Sequence, residues 1–402
     1  MDTATKRVLL TGASGFIGRW AIPALLRRGY EVHAVGRCVD SGHQRSEVRG
    51  QRSDIGGQRF PPPAPRPSPL VAVANQESLS RVVGPAPQTR TDDSVLSTQY
   101  SALHWHSCDL LNAAEAASLI NSVRPTHLLH FAWYAEHRKF WTSPLNVDWA
   151  AASLLLLRAF ANAGGHRAVF AGTCAEYDWS HEVLSERDTP TRPRTLYGAC
   201  KNSLRDVAER FAAQAGMSFA WGRIFFLFGP DEHPDRFVPS IIEPLRRGEP
   251  AACRAGAQVR DFLHVADAAD AFASVLESRV SGAVNIASGE ARSLGRVAEY
   301  ISDQLGRRDL LNVGSSPATL DNPAVLRADV ARLRNEVGWT PRFSLTTGLD
   351  DVISQSAATA PFSVRRRGFL ASGEERGDPS AVHPSPPTPL PKGARGAERD
   401  AA

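Results

Sequence analysis

Residues Thr11 to Gly18 read T-G-A-S-G-F-I-G, between the apolar run Val8-Leu9-Leu10 and a stretch of helical periodicity that ends near Gly29. A chain that leaves an apolar strand through three glycines and enters a helix has few folds open to it. The strand is expected to be buried in a parallel sheet. Gly12, Gly15 and Gly18 then supply the tight turn, the close backbone approach and the helix-on-strand contact that a pyrophosphate requires. The spacing is G-x-x-G-x-x-G, one residue longer between the first two glycines than the common pattern. Glycine also collects at strand-to-helix turns for steric reasons alone. The position of the triplet, strand before and helix after, is what points to a dinucleotide.

Two segments lack the periodicity of a fold. From residue 38 to 100 a tandem heptad starts at Arg45 (R-S-E-V-R-G-Q, then R-S-D-I-G-G-Q), and Pro61, Pro62, Pro63, Pro65, Pro67 and Pro69 follow. That proline density excludes helix or ladder and favours extended polyproline geometry. Residues 356–402 have the same character, with Arg365-Arg366-Arg367 and P-S-P-P-T-P-L-P from Pro384. Both are expected to be disordered. Such stretches can recruit partners, but an insertion tolerated in a surface loop is the simpler reading, because a long loop adds little closure entropy.

The roughly 300 residues that remain alternate strand and helix. Strands are predicted at Arg7–Thr11, Glu31–Gly36, Leu103–Cys108, His127–Phe131, Arg167–Gly172 and Ser218–Phe226, and helices at Phe16–Arg28, Ala113–Val123, Leu145–Ala163 and Tyr197–Ala215. This is an α/β pattern: a doubly wound parallel sheet over residues 1–37 and 101–229, followed by a smaller C-terminal lobe over 230–355. After Gly229-Pro230 the elements become shorter and less regular, among them Phe237–Arg247, Val265–Glu277, Leu294–Leu305 and Val330–Val337.

Composition removes several function classes. No run of about 18 apolar residues occurs, and Met1 to Lys6 lead directly into the first strand, so no membrane partner is expected and a cytoplasmic location is. The five cysteines are scattered, without C-x-x-C spacing, which fits reduced thiols; no metal site is expected. The net charge of +4 resides in residues 37–100 and 361–402, +2 in each, so no nucleic-acid partner is expected of the folded part.

The sequence Y-G-A-C-K places Tyr197 and Lys201 four residues apart on one face of a predicted helix. A phenol ionises near pH ~10, and shuttling a proton at neutral pH takes about 4 kcal/mol of selective phenolate stabilisation. A neighbouring ammonium can provide it. On its own the pair reads as readily as a surface lysine one turn from a half-buried tyrosine. Thr173 changes that reading. It ends the apolar strand Ala168–Ala171, so its hydroxyl stands at the sheet edge where parallel sheets bind ligands.

With the glycine turn, His130-Phe131-Ala132, Thr173, Tyr197 and Lys201 in order along one edge, the chain resembles the extended short-chain dehydrogenase/reductases. More narrowly, it resembles their nucleotide-sugar epimerase, dehydratase and ketoreductase branch, from about Arg7 to Leu349 without the insertion. Cys108-Asp109-Leu110, Asn146-Val147, Phe228-Gly229-Pro230, Arg260-Asp261-Phe262, Asn285-Ile286 and V-G-W-T-P to Pro341 resemble further blocks of that branch.

The resemblance implies a Rossmann-type fold in which Tyr197 is the general acid/base, Lys201 holds the ribose hydroxyls, and Thr173 binds the reacting oxygen. Cofactor contacts are implied for Gly12, Ser14, Gly15, Phe16, Ile17 and Gly18, for Asp109 and Leu110 at the adenine, and for Phe131 and Ala132. Gly36-Arg37 stands where NAD-preferring members carry an acid, and an arginine there suits a 2′-phosphate, so NADP is favoured over NAD. A homodimer is the family expectation.

Two departures narrow the chemistry. Dehydratases follow the threonine with Asp-Glu, because eliminating water needs an extra acid and base; this chain has Cys174-Ala175, with Glu176 one place beyond. Glu176, His233, Arg236 and Arg260 are candidates for the substrate, although Arg260 reads equally as an ion-pair partner of Asp261 or Asp267. Arg327 is a further candidate for the diphosphate. Trp133, Tyr134, His137 and Trp141 would either line a sugar pocket or pack a loop.

The leading expectation is an NAD(P)-dependent 4-ketoreductase of a nucleotide-diphosphate 6-deoxyhexose. A 4-epimerase with tightly held NAD is second. A non-catalytic dinucleotide-binding scaffold is more remote, since it needs no acid/base set. Deleting Asp40 to Gln99 is expected to leave folding and activity largely intact, as read by thermal unfolding and turnover; loss of the folded state would show that the insertion belongs to the fold.

Overall fold

The computed structural model describes residues 6–36 and 101–358; Arg37, the expected insertion and the chain after residue 358 lie outside them. The first half runs β1 (Arg7–Thr11), α1 (Gly18–Arg27), β2 (Glu31–Val35), β3 (Leu103–His106), α2 (Ala113–Val123), β4 (His127–His130), α3 (Leu145–Asn162) and β5 (Arg167–Thr173). A short strand β6 (Val183–Leu184), α4 (Leu196–Gln214) and β7 (Ser218–Ile224) follow. The remainder is β8 (Phe226–Phe228), α5 (Phe237–Arg246), β9 (Ala251–Cys253), β10 (Val259–His264), α6 (Val265–Glu277), β11 (Gly282–Ile286), β12 (Ala291–Ser293), α7 (Leu294–Gln304), β13 (Leu311–Val313), β14 (Val325–Ala328) and α8 (Leu345–Ala358).

Seven of these strands form one sheet in the order β11-β7-β5-β4-β1-β2-β3. Every pairing in it is parallel. The order reverses between β1 and β4, the switch point outside which a doubly wound Rossmann-type sheet binds its ligand. Buried on both faces, the central strands read as near-continuous apolar runs; every residue of β5, R-A-V-F-A-G-T, is buried. One face packs Leu10, Val32 and Val169 with Ile22 and Leu25 of α1 and Phe272 of α6. The other packs Leu9, Leu128 and Phe170 with Ile120 of α2, Leu157 of α3 and Leu204 of α4.

Helix starts follow ordinary capping chemistry. Asn112 accepts from Ala114 N and Glu115 N to start α2, and Thr195 accepts from Gly198 N to start α4.

The second half departs from expectation in three places. The strand predicted over Ser218–Phe226 is two strands: β7 ends at Ile224, and β8 pairs instead with β10, Phe226 facing Phe262, in a sheet of order β12-β10-β14-β6. The sequence does not mark the change of sheet because both sides of it are buried. Secondly, residues 265–286 do not stay with a separate lobe. α6 packs on α1, and β11 closes the main sheet in register with β7, Ala283 facing Trp221 and Asn285 facing Arg223. Finally, the short element expected at Val330–Val337 is a single wide turn, Arg332–Glu336, while α8 continues to Ala358, past the expected start of the tail. A third apolar cluster, around Ile241 and Ile242 of α5, Ile301 of α7 and Leu349 of α8, serves the remaining elements. No helix among the described residues is long and apolar enough to cross a membrane.

Packing is close where the two halves meet. A Cβ on Gly222 of β7 would lie 2.3 Å from the Phe272 ring of α6. Gly222→Ala is therefore expected to destabilise the fold by about 1–3 kcal/mol, read as a lower urea midpoint.

Candidate functional site at the ends of the parallel strands

The glycine turn is built for close approach. Gly12 has φ +68°, and a Cβ there would lie 2.8 Å from Ala132 N, just after β4. A Cβ on Gly18 would lie 2.1 Å from Gly12 O, so the first residue of α1 rests directly on the turn. Gly15 N donates to Gly12 O at 3.0 Å, and Ala13 N donates to Val35 O at the end of β2 at 3.1 Å. Ser14 and Gly15 are exposed, Phe16 and Ile17 half-buried, and no side chain caps α1. A bare, uncapped helix start behind a turn that admits no side chain is a fitting cradle for a dinucleotide pyrophosphate.

Across the switch point, Ala132 N donates to Thr11 Oγ1 at 3.4 Å, and Phe131 packs edge-on against Phe272. His130 is internal structure: it bonds Thr11 and Ser153, and burial pulls it down to about 3, so it is neutral. Asp109 lies exposed after β3, its Oδ1 accepting from Leu111 N, while Leu110 is buried.

Thr173, Tyr197 and Lys201 meet at the end of β5. The chain turns after Thr173 into a single 3-10 turn, Cys174–Glu176. Helix α4 begins against that turn, and a Cβ on Gly198 would lie 2.5 Å from Ala175 O. Thr195 caps the helix and Gly198 lets it approach, which sets Tyr197 beside Thr173. Three aromatic rings surround the phenol, Phe140, Trp141 and Trp133, at centroid distances of 4.9, 5.7 and 6.4 Å. Burial pushes the phenol above its ordinary value; the Thr173 hydroxyl and, more weakly, the Arg236 charge oppose the rise. Lys201 is buried, donates to Ala171 O at 2.8 Å and lies 3.7 Å over the Trp133 ring. Burial pulls its ammonium down to about 7, against the attraction of Glu176.

Glu176 corrects the expectation that it faces substrate. It has no exposed surface, and its two oxygens accept from Thr173 N, Trp221 Nε1 and Arg223 Nε. A carboxylate so fully bonded positions the strand end; it has nothing left for a ligand.

Arg260 is buried, and among the described residues no carboxylate pairs with it, contrary to the ion-pair reading. It donates to Val259 O, Gln258 Oε1 and Asn322 Oδ1, and burial pulls it down to about 10. Asp261 is taken by Ser288, Gly289 and Ala328, and Asp267 by Arg342 and Phe343. His233 and Arg236 are exposed before α5, with His233 stacked on His137 at 5.0 Å. Arg327 is exposed on β14. Of the aromatic cluster, Trp133 and Trp141 reach the phenol, whereas Tyr134 is half-buried and donates to Glu136.

Beside Tyr197 opens a cavity of about 320 Å³ lined by Trp141, Ala175, Tyr177, Trp179, Arg194, Thr195 and Asp321. The Arg194–Asp321 ion pair, 2.7 Å, spans its rim. Five of these residues, Tyr177, Trp179, Arg194, Thr195 and Asp321, were not anticipated. Thr195 was legible as a cap before the helical run, and Arg194 lies next to it, but Trp179 and Asp321 are brought there by loops whose course carries no periodicity.

A doubly wound parallel sheet, a glycine turn at its first strand and a Thr-Tyr-Lys set at the neighbouring strand end define an extended short-chain dehydrogenase/reductase. The chain belongs to the NAD dependent epimerase/dehydratase family, whose model matches residues 8–60 and 67–287. It is 28% identical over 230 residues to a UDP-glucose 4-epimerase of Corynebacterium glutamicum, covering 52% of this chain and 69% of that protein. It is 24% identical over 305 residues to a dTDP-6-deoxy-L-talose 4-dehydrogenase (NAD(+)) of Aggregatibacter actinomycetemcomitans, covering 74% and 90%. Among solved structures, MoeE5 in complex with UDP-glucuronic acid and NAD superposes with a TM-score of 0.64 at 27% identity, over 88% of this chain and 100% of that one.

Glu176→Gln would leave the Arg223 guanidinium buried without its counter-charge. It is expected to cost about 3–5 kcal/mol, measured by denaturant unfolding.

Proposed function

We propose that the chain is an NAD(P)-dependent oxidoreductase of nucleotide-diphosphate sugars, most directly a 4-ketoreductase acting on an NDP-6-deoxyhexose. The observation that carries this reading is the set of proton-transfer groups at the end of β5. Burial pushes the Cys174 thiol up to about 12, and both oxygens of Glu176 are bonded, so neither residue of the Thr173 turn supplies a second acid or base beside Tyr197. One acid/base serves reduction or epimerisation at a carbinol carbon; eliminating water would require more. The similarity to a 4-dehydrogenase of a dTDP-6-deoxy sugar supports the same choice.

In this reading the turn at Gly12, Ser14, Gly15, Phe16, Ile17 and Gly18 holds the pyrophosphate, with Asp109 and Leu110 toward the adenine and Phe131 and Ala132 beside the nicotinamide half. The reduced cofactor supplies a hydride. Thr173 donates a hydrogen bond to the sugar C4 carbonyl oxygen, and Tyr197, kept protonated by burial, gives that oxygen its proton as negative charge develops. Lys201 holds the ribose hydroxyls and, when charged, steadies the phenolate left behind. The sugar occupies the cavity next to Trp141 and Thr195. The exposed His233 and Arg236, the latter's charge felt at Tyr197, face the nucleotide diphosphate, whereas Arg260 is buried and spent on Val259, Gln258 and Asn322. The Gly36-Arg37 dipeptide after β2 favours NADP. A homodimer would form through α3 and α4, which carry the exposed apolar side chains of Val147, Leu155 and Val207.

The 28% identity to a UDP-glucose 4-epimerase supports a second reading, in which the same residues oxidise and re-reduce C4 with NAD retained. The two separate on the purified protein. Turnover of an NDP-4-keto-6-deoxyhexose that consumes NADPH in proportion to product supports the reductase; epimerisation with no added cofactor supports the epimerase. In either case Tyr197→Phe is expected to lower kcat by about 10²–10⁴-fold. Unchanged turnover would remove Tyr197 from the proton-transfer role.

A further inference from the structure

The outer edge of the main sheet, on β2 and β3, carries a group of side chains for which the proposed chemistry has no use. Strands β2 and β3 pair in parallel with His33 opposite His104 and Val35 opposite His106. Side chains alternate along a strand, so Glu31 and His33 share one face with His104 and His106. His33 Nε2 lies 3.0 Å from Glu31 Oε1, and His104 Nε2 lies 3.6 Å from the same oxygen. The ligand atoms of Glu31, His33 and His104 all lie within 4.8 Å of one another.

We propose that Glu31, His33 and His104 form a binding site for a divalent transition-metal ion of the zinc class. A tetrahedral ion with bonds of ~2.0–2.2 Å holds its ligand atoms roughly 3.3 Å apart. The two measured separations bracket that value. Two imidazoles and one carboxylate form a donor set for zinc, nickel or copper, whereas magnesium and calcium prefer oxygen alone.

The surrounding groups act as an outer shell should. His33 Nδ1 lies 2.9 Å from His106 Nε2, so a metal on Nε2 leaves the other ring N–H donating to a fixed acceptor. The second oxygen of Glu31 accepts from Arg7 Nε at 3.3 Å, which orients the carboxylate and leaves Oε1 for the ion. Three protein ligands leave a fourth position for water. His104, with 45% of its side chain exposed, is the side from which an ion enters. The strands it joins are separated by residues 36–102 of the sequence, so the ion would clamp the edge strand β3 to β2 across the long connection.

The test uses the full-length chain without an affinity tag, stripped with a chelator and titrated with Zn²⁺, with Mg²⁺ in parallel. Binding of one Zn²⁺ per chain is expected, with a rise in melting temperature that Mg²⁺ does not reproduce. His104→Ala, at an exposed position with little risk to folding, is expected to lower Zn²⁺ affinity at least about tenfold and to abolish the thermal shift. His106→Ala, which removes only the outer-shell acceptor, is expected to lower affinity by about 10–100-fold with the stoichiometry kept. Absence of Zn²⁺ binding, or equal affinity in wild type and His104→Ala, overturns the proposal. Turnover of His104→Ala should match the wild type, which separates this site from the proposed catalytic one.

Discussion

The Glu176 carboxylate, with no exposed surface, meets the Arg223 guanidinium at 2.8 Å while also accepting from Trp221 Nε1 and Thr173 N. Taking both charges out of water is expensive, and only a fully bonded arrangement recovers that cost. The arrangement is complete here, and it reaches outward. Arg223 lies 4.3 Å over the Tyr177 ring, whose hydroxyl donates to Asn285 of β11, and the Asn285 amide donates in turn to the carbonyls of Leu184 and Asp329. The turn that presents Thr173 is thus tied through one polar network to β7, to β11, to β6 and to the residue after β14. Gly172 belongs to the same device, since a Cβ there would lie 2.0 Å from Trp221 Nε1 and would part the indole from the carboxylate.

What the sequence showed and what it hid divide along physical lines. Strands β1 to β5 and helices α1 to α4 were legible because their apolar periods are long and their caps and glycines sit at the ends. Thr173, Tyr197 and Lys201 were legible because spacing along a strand end and one helical turn already brings them to the same edge. Direction was not legible. Glu176 stands three residues after Thr173 in a chain that turns inward, so a carboxylate close in sequence to the reacting atoms points away from them. For Arg260, neighbouring acids in sequence suggested an ion pair, whereas alternation along β10 sends Asp261 to Ser288 and leaves the guanidinium among neutral acceptors. Loop-borne residues such as Asp321 had no periodic signal at all. The histidines of β2 and β3, 73 residues apart at His33 and His106, meet only because of strand register.

The helices that flank the cofactor turn show a related economy. Arg28, just after α1, donates to Asp270 and Ser274 of α6 and pairs with Glu277, while Asp270 also accepts from Trp339 Nε1. A helix reached only after a long excursion through the second half therefore braces the one that begins at Gly18. Buried on one side and half-exposed on the other, these bonds hold the orientation of α1, and with it the direction of its N-terminal amides.

The departure of the chain from the main sheet after Ile224, and its return at Gly282, also sets an order of assembly. Until residue 286 has left the ribosome, β7 has no neighbour on its outer side, and a row of backbone donors and acceptors between Ala220 and Ile224 stands open. The half of the molecule that holds the glycine turn is therefore incomplete during much of its own synthesis. Any nascent chain that stalls between those two points presents a sticky apolar edge to its neighbours.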